Sequence, residues 1–341
     1  MSDKQPPTDP YAAEWPDPPS GGGFAEDDET DDMDLLADLD SVGEEHRSGF
    51  VALIGKPNVG KSTLLNAWLE TRLAAVSPRP QTTRNRLLGI LTRDDAQVVF
   101  VDTPGIHRPR TKLGDYMVDV ARRAIPDADL ILFLVDVSHP PTQADRRVAD
   151  LLMAGAEAPV ILVLNKMDAA DPGRLEEHAE AFRILGAFSG EATISALHGD
   201  GSPELLQRVV ALLPVGPRYY PAEQISDQQE RFIAAELIRE QAMRELRDEI
   251  PHATAVVVQE FNERKNGTLY IAANIFVEKD SQKGIVIGKR GAQLKRIGQA
   301  ARIALQDFFH CKVYVELWVK VRKDWRRKDN LLRQMGYDKR G

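Results

Sequence analysis

From Phe50 onward the chain alternates between short apolar runs and longer amphipathic stretches. Residues 50–54, 130–135 and 160–164 are continuous aliphatic runs of strand length, the pattern of strands buried on both faces. Residues 86–92 and 97–101 read as two more strands joined by the turn Arg93-Asp94-Asp95-Ala96. Helical spacing appears at 63–69, 113–125, 142–154, 172–185 and 203–213. Such alternation predicts an α/β domain over residues 49–213, with a mainly parallel sheet and helices on both faces.

The run Pro214-Val215-Gly216-Pro217-Arg218-Tyr219-Tyr220-Pro221 breaks that pattern, and residues 214–226 read as a linker. A second pattern follows. Residues 227–249 predict one long amphipathic helix, and 253–260 and 267–278 predict strands with a hairpin turn at Arg264-Lys265-Asn266-Gly267. After a glycine-rich turn come a helix at 292–309 and a strand at 312–321, in which Val313, Val315, Leu317 and Val319 share a face. The expectation is an α+β domain over 227–321, then a basic tail over 322–341.

Composition adds limits. A chain of 341 residues has room for two cores. The single cysteine, Cys311, rules out intrachain disulfides and suits a reducing compartment. The aliphatic runs are too short to cross a bilayer, and the N-terminus lacks a signal-peptide pattern. The expected location is cytoplasmic, with peripheral contact at the inner face of the cell membrane left open. The formal charge of −8 is unevenly spread. Residues 1–48 hold 15 Asp/Glu and 2 Lys/Arg, an acidic, Pro- and Gly-rich composition expected to be a disordered tail. Residues 224–341 hold 16 and 23, a balance that favours nucleic acid.

Candidate chemistry begins at the end of the first strand. Gly55-Lys56-Pro57-Asn58-Val59-Gly60-Lys61-Ser62-Thr63 is G-x-x-x-x-G-K-S in a strand–loop–helix context, the phosphate-binding P-loop. Gly55 and Gly60 let the backbone turn, so that successive N–H groups, those of Asn58, Val59 and Thr63 included, face phosphate oxygens. The helix adds its positive end. Lys61 reaches the β- and γ-phosphates, and the Ser62 hydroxyl ligates Mg²⁺.

Three motifs follow in order. Asp102-Thr103-Pro104-Gly105 follows the third strand; Asp102 is placed to hold Mg²⁺, directly or through a water, and the Gly105 N–H to bond the γ-phosphate. Asn165-Lys166-Met167-Asp168 ends the fifth strand. The Asp168 carboxylate accepts from the guanine N1–H and exocyclic amine, a donor pair that adenine lacks. Asn165 ties this loop to the P-loop, and the Lys166 stem covers the ring. Ile194-Ser195-Ala196 follows the sixth strand, with the Ala196 N–H expected at guanine O6. In the polar loop at 77–86, Thr83, preferred over Thr82, completes Mg²⁺ coordination when the γ-phosphate is present. The site set is therefore Lys61, Thr83 and Gly105 for catalysis, and Ser62, Thr83 and Asp102 for the metal.

These motifs in this order resemble the translation-factor-related GTPases. Gly55 to Ser62, Gln81-Thr82-Thr83-Arg84, Asp102-Thr103-Pro104-Gly105 and the linker Gly216-Pro217-Arg218-Tyr219-Tyr220-Pro221 look more narrowly like the Era family. Ras-type enzymes position the attacking water with a Gln just after D-x-x-G. Here Ile106 and then His107 follow, a departure that fits the Era-like branch, and no general base is assigned. Asn58 resembles the Asn with which some of these GTPases bind K⁺ near the phosphates.

Gly288-Lys289-Arg290-Gly291 looks like the G-x-x-G loop of a KH domain. Its glycines admit a nucleic-acid backbone, and Lys289 and Arg290 supply charge. The order helix, two strands, loop, helix, strand resembles the type II KH fold. Ile287, Gly288, Lys289, Arg290 and Gly291 are the expected RNA contacts, joined by Lys320, Lys323 and a stacking or docking Trp325 in the basic tail. The Era resemblance spans residues 49–341. It implies a GTPase, a monomer taking GTP and GDP, that binds the 3′ end of 16S rRNA during assembly of the 30S subunit. Three rivals stand beside it: an RNA chaperone with structural nucleotide, a P-loop ATPase or kinase, and the tandem GTPases, of which only one P-loop is present.

Overall fold

The computed structural model describes residues 45–77, 79 and 81–338. Residues 1–44 of the expected acidic tail lie outside the described residues; Arg47 and Ser48, placed in that tail by composition, belong to the first strand. Six strands, β1 (Arg47–Ile54), β2 (Leu87–Thr92), β3 (Ala96–Asp102), β4 (Leu130–Asp136), β5 (Val160–Asn165) and β6 (Gly190–Ile194), form one sheet in the order β2-β3-β1-β4-β5-β6. All neighbours are parallel except β2, which is antiparallel to β3.

Both faces are covered, as the unbroken apolar runs require. On one face Val51, Leu53, Val98 and Phe100 pack under α1 (Lys61–Trp68) and α5 (Ser202–Leu212). On the other, Ala52, Ile54, Ile131 and Phe133 pack under α2 (Lys112–Arg123), α3 (Gln143–Gly155) and α4 (Leu175–Arg183). The loops that follow β1, β3, β5 and β6 all open at the carboxyl edge of this sheet, where α/β domains bind ligands.

The expected linker is not a free tether. Gln97 Oε1 accepts from the N–H groups of Tyr219 and Tyr220 at 2.7 and 2.9 Å, the Ser226 hydroxyl donates to Leu88 O at 2.6 Å, and Ile90 N donates to Ile225 O at 2.9 Å. The segment thus lies along the edge of the sheet and satisfies backbone groups that β2 would otherwise expose.

The second domain holds α6 (Glu230–Glu245), β7 (Ala255–Glu263), β8 (Thr268–Val277), α7 (Asp280–Ile287), α8 (Ala292–Phe309) and β9 (Lys312–Val321). Its sheet runs β7-β8-β9, with β7 antiparallel and β9 parallel to β8. Helix α7 was read as part of a glycine-rich turn, because Gly284 and three β-branched residues give it poor helix propensity. Gln282 Oε1 accepts from the N–H groups of Glu278 and Lys279, closing its first turn, and Val286 is fully buried.

The C-terminal segment also departs from expectation. It carries a turn at Trp325–Arg327 and α9 (Asp329–Gln334). Trp325, Leu332, Met335 and Tyr337 pack with Leu113, Tyr116 and Met117 of α2 and with Ala255 and Phe276 of the second sheet. This basic stretch is a structured bridge between the two halves.

Candidate functional site

The P-loop turns as its glycines demand. Gly60 sits at φ +100°, and a Cβ there would lie 2.2 Å from Asn165 Nδ2; a Cβ at Gly55 would lie 2.4 Å from Leu134 O. Asn58 also takes positive φ, which Asn tolerates. Lys61, the first residue of α1, curls back so that Nζ donates to Gly55 O at 3.3 Å and Lys56 O at 3.2 Å. Burial lowers its pKa to about 8, against the pull of Asp102. Ser62 and Thr63 follow on α1 and are half-buried. Val59 is buried; its carbonyl accepts from Asn165 Nδ2 at 2.7 Å.

Ser62, Thr83 and Asp102 meet at one point. Asp102 Oδ2 accepts from the Ser62 hydroxyl at 2.7 Å and from Thr83 Oγ1 at 3.2 Å, and the two hydroxyls are 2.8 Å apart. Asp102 is fully buried, and Oδ1 has no partner among the described residues. Burial pushes its carboxyl pKa up, opposed by Lys61 and by the hydroxyl donors. Three hard oxygen donors around an unsatisfied carboxylate oxygen fit Mg²⁺. Thr82 turns the other way, its hydroxyl bonded to Arg79 O at 2.8 Å.

Gly105 is pressed onto the P-loop: a Cβ there would lie 2.4 Å from Pro57 N. The next residue, Ile106, is buried, and its N–H donates to Gly55 O at 3.1 Å. His107 bridges Gly105 O (Nδ1, 3.1 Å) and the Gln81 side-chain amide (Nε2, 3.0 Å). With Gln81 donating, the ring proton sits on Nδ1.

At the base-recognition end, Asp168 Oδ1 accepts from the Ser195 hydroxyl at 2.6 Å. Ser195 therefore orients Asp168. Lys166, at φ 67°, pairs with Asp136 Oδ2 at 2.6 Å. Burial works to raise the Asp136 pKa, but bonds from Lys166 and Ser138 outweigh it and leave the carboxyl below its ordinary range. Ala196 follows Ser195 at the same end. The Ala196 N–H, expected at guanine O6, donates to Asn165 Oδ1 at 2.9 Å. That bond, with the one to Val59 O, makes Asn165 the tie between the base loop and the P-loop.

In the second domain, Gly288 adopts φ 73° and ψ 174°, Arg290 φ 53° and Gly291 φ 77°, so the G-x-x-G turn needs both glycines. Lys289 and Arg290 are exposed at its tip, as are Lys320 and Lys323 farther on; Ile287 is half-buried against the core. Trp325 corrects an expectation. It is fully buried, with Nε1 donating to Ala253 O at 2.9 Å and its ring stacked on Tyr337 at 5.9 Å, so it has no face for RNA. The apolar spacing of Leu331, Leu332, Met335 and Tyr337 was the available signal that this tail packs.

Two functional candidates escaped the sequence. Arg84, next to Thr83, is fully buried in the seam between the domains. It donates to Thr254 O at 2.8 Å, Pro251 O and His252 O at 3.3 Å and the Tyr337 hydroxyl at 3.2 Å, and lies 5.8 Å from the Trp325 ring centre. Arg239, on α6, bonds Thr82 O and pairs with Glu236. Residues 82–84 are thus gripped from the second domain on both sides of Thr83, which faces Ser62 and Asp102. In sequence these arginines are charges in a polar loop and on a helix, without a periodicity to mark them.

Comparison with known proteins gives two family matches: a 50S ribosome-binding GTPase model over residues 50–166 and a KH domain model over residues 249–326. The chain is 51% identical over 292 residues to the GTPase Era of Geobacter metallireducens, covering 85% of this chain and 98% of that one. It is 48% identical over 293 residues to the GTPase Era of Caldanaerobacter subterraneus subsp. tengcongensis, covering 86% and 98%. Among solved structures it superposes at TM-score 0.81 and 38% identity on Era in complex with MgGDPNP and nucleotides 1506–1542 of 16S ribosomal RNA, over 86% of this chain and 99% of that one. An Aquifex aeolicus Era variant bound to GDP and AlF₄⁻ gives 0.80 at 38% identity, over 85% and 99%. The P-loop and its partner motifs, the KH turn and these matches agree: the chain belongs to the Era family of GTPases.

Proposed function

We propose that this chain binds the 3′ end of 16S rRNA through its KH domain and uses its GTPase cycle to time that binding in assembly of the 30S subunit. The observation that carries the reading is the position of Thr83. It faces the Ser62–Asp102 oxygens while Thr82 and Arg84 on either side are held by the KH half. A change at the γ-phosphate that moves Thr83 then moves a segment bonded to the RNA-binding domain, the physical content of a nucleotide switch.

Within the nucleotide site, Ser62, Thr83 and Asp102 hold Mg²⁺, which neutralises charge on the phosphates. Lys61 places its ammonium against the transferred phosphoryl group, and the Gly105 N–H bonds its oxygens. Asp168, oriented by Ser195, accepts from both guanine donors, while Lys166, anchored on Asp136, lays its stem on the ring. Asn58 supplies a K⁺ contact beside the phosphates. The same reading has the protein monomeric and cytoplasmic. No helix among the described residues is long and apolar enough to cross a membrane.

On the RNA side, Lys289 and Arg290 present two charges at a turn that a phosphate backbone can approach closely. The test is filter binding of a 3′ 16S fragment across a salt series, with GTP hydrolysis measured in parallel. Lys289→Asp with Arg290→Asp removes most RNA affinity and makes the log–log salt slope shallower by roughly one to two. Hydrolysis without RNA persists. Unchanged affinity and slope in the double variant would exclude the KH turn as the RNA site.

A further inference from the structure

The two faces of the KH sheet differ. Leu269, Ile271, Ala273 and Ile275 of β8, with Val313 and Val319 of β9, point into the core beneath the helices. The alternate residues form the outer face. One end of it, at Phe276, is covered by the C-terminal segment and α2. The other end carries an open aromatic group. Tyr270 and Tyr314, paired across β8 and β9, stack at 5.9 Å and 18°, with the Arg264 guanidinium 4.3 Å and 5.3 Å from their ring centres. Trp318 follows two positions after Glu316 on the same face of β9. Tyr314 is 52% and Trp318 42% exposed.

We propose that this face is a second RNA surface, on which bases beyond those held at the G-x-x-G turn stack against Tyr314 and Trp318. Four observations lead to single-stranded RNA as the occupant. First, the sheet order leaves β9 at an edge, and Leu317, on the face opposite Trp318, lies 3.7 Å from the Cβ position of Gly298 on α8, the helix that follows the turn. The helices on both sides of the turn pack against β9, so a strand leaving the turn meets this edge. Second, along β9 the two rings, Tyr314 and Trp318, are flanked by Lys312 and Lys320, with Arg264 beside Tyr314; aromatic faces next to positive charge are what unpaired nucleotides take. Third, Glu316, the acidic residue among them, is engaged by the Tyr270 hydroxyl at 2.7 Å. Fourth, Glu260 on β7 lies across the sheet opposite Ala272, which confines an anionic strand to the β9 side.

This inference rests on the RNA reading of the KH domain, and its test separates the two. Two single-stranded RNAs from the 3′ 16S sequence are compared on the full chain: one of about four nucleotides, the span of a G-x-x-G clamp, and one of roughly ten. The unmodified protein should bind the longer one more tightly. Tyr314→Ala with Trp318→Ala should lose roughly 10- to 100-fold on the longer RNA and little on the shorter, with the salt slope unchanged because no phosphate contact is removed. Tyr314→Phe with Trp318→Phe should restore most of the affinity, and its thermal midpoint keeps the comparison valid should the alanine pair fold poorly. Equal binding of both lengths by the unmodified protein, or full affinity of the alanine pair for the longer RNA, overturns the second surface. Binding of neither RNA would instead defeat the RNA reading itself.

Discussion

The two glycine-punctuated loops proposed to take phosphate are built in opposite ways. The loop at Gly55–Ser62 is walled in: Gly55 and Gly60 leave no room for a Cβ, and Lys61 is buried. The turn at Gly288–Gly291 stands open: Lys289 and Arg290 face solvent, and a Cβ on Gly291 would touch nothing. A walled loop fixes donors around one small polyanion and excludes water, which serves chemistry. An open turn lets a long backbone slide in, which serves binding. At the open turn the two glycines differ: a Cβ on Gly288 would lie 2.7 Å from Gln293 Cβ, whereas Gly291 is needed only for its backbone angle.

That contrast is broken or kept most sharply by one substitution in each loop. Gly60→Ala puts a methyl 2.2 Å from Asn165 Nδ2 at φ +100°, so GTP binding should fall below detection by calorimetry. Gly291→Ala meets only the strain of a left-handed backbone, about 1–2 kcal/mol, and RNA affinity should fall less than about tenfold. Equal damage from the two would mean that the KH turn is as tightly walled as the P-loop.

Lys61→Ala comes next. Loss of a preorganised cation at the transferring phosphate should lower kcat by a factor of roughly 10² to 10³ in multiple-turnover phosphate release. RNA affinity in the nucleotide-free protein should not change. Near-normal turnover would displace Lys61 from the reaction.

The difference between the loops also explains what the sequence allowed. Strand runs buried on both faces, such as 130–135, and a motif whose every residue has a chemical duty were readable, because local pattern and local chemistry coincide there. The metal-facing choice of Thr83 over Thr82 agrees with the geometry at Ser62 and Asp102. Features set by distant partners were hidden. Trp325 looked like a stacking residue in a basic tail because its burial depends on α2 and β8, more than 45 positions away in sequence. The bond from the Ala196 N–H to Asn165 is a tertiary fact of the same kind. Arg84 read as loop charge because its acceptors are backbone carbonyls near residue 252, which no residue type announces.

Arg84→Ala tests whether the two loops communicate through that seam. It strips hydrogen bonds from the carbonyls of Pro251, His252 and Thr254 and from the Tyr337 hydroxyl. Leaving such groups unpaired costs about 1–3 kcal/mol each when they stay dry; with partial hydration a total loss of about 2–4 kcal/mol is expected from urea unfolding. The sharper readout is coupling. In the unmodified protein RNA affinity should differ between the GDP state and the state with a non-hydrolysable GTP analogue, and reciprocity requires RNA to shift nucleotide affinity by the same factor. In Arg84→Ala that factor should approach one while each ligand still binds alone. A variant that keeps the full factor would exclude the Arg84 contact as the link.

The smallest effect concerns a proton. Burial holds the Lys61 pKa at about 8 in the protein alone, below its model-peptide value of about 10.5. Between these values the unfolded chain binds more protons than the folded one, so the stability of the nucleotide-free protein rises with pH across that window. Phosphate oxygens around Nζ favour the ammonium and raise its pKa on binding. GTP binding should therefore take up a fraction of a proton near pH 8.5 and almost none at pH 7, where Lys61 is already charged. Calorimetry at each pH in two buffers of different ionisation enthalpy reads this number directly. Affinity should weaken as pH rises through 8, because the unbound protein then begins to lose the charge that the phosphates need. The same measurement with RNA in place of GTP gives the comparison for the KH turn, whose cations are exposed where Lys61 is buried. Proton release on GTP binding, or uptake that tracks RNA binding instead, would remove the difference in burial as the property that separates the two loops.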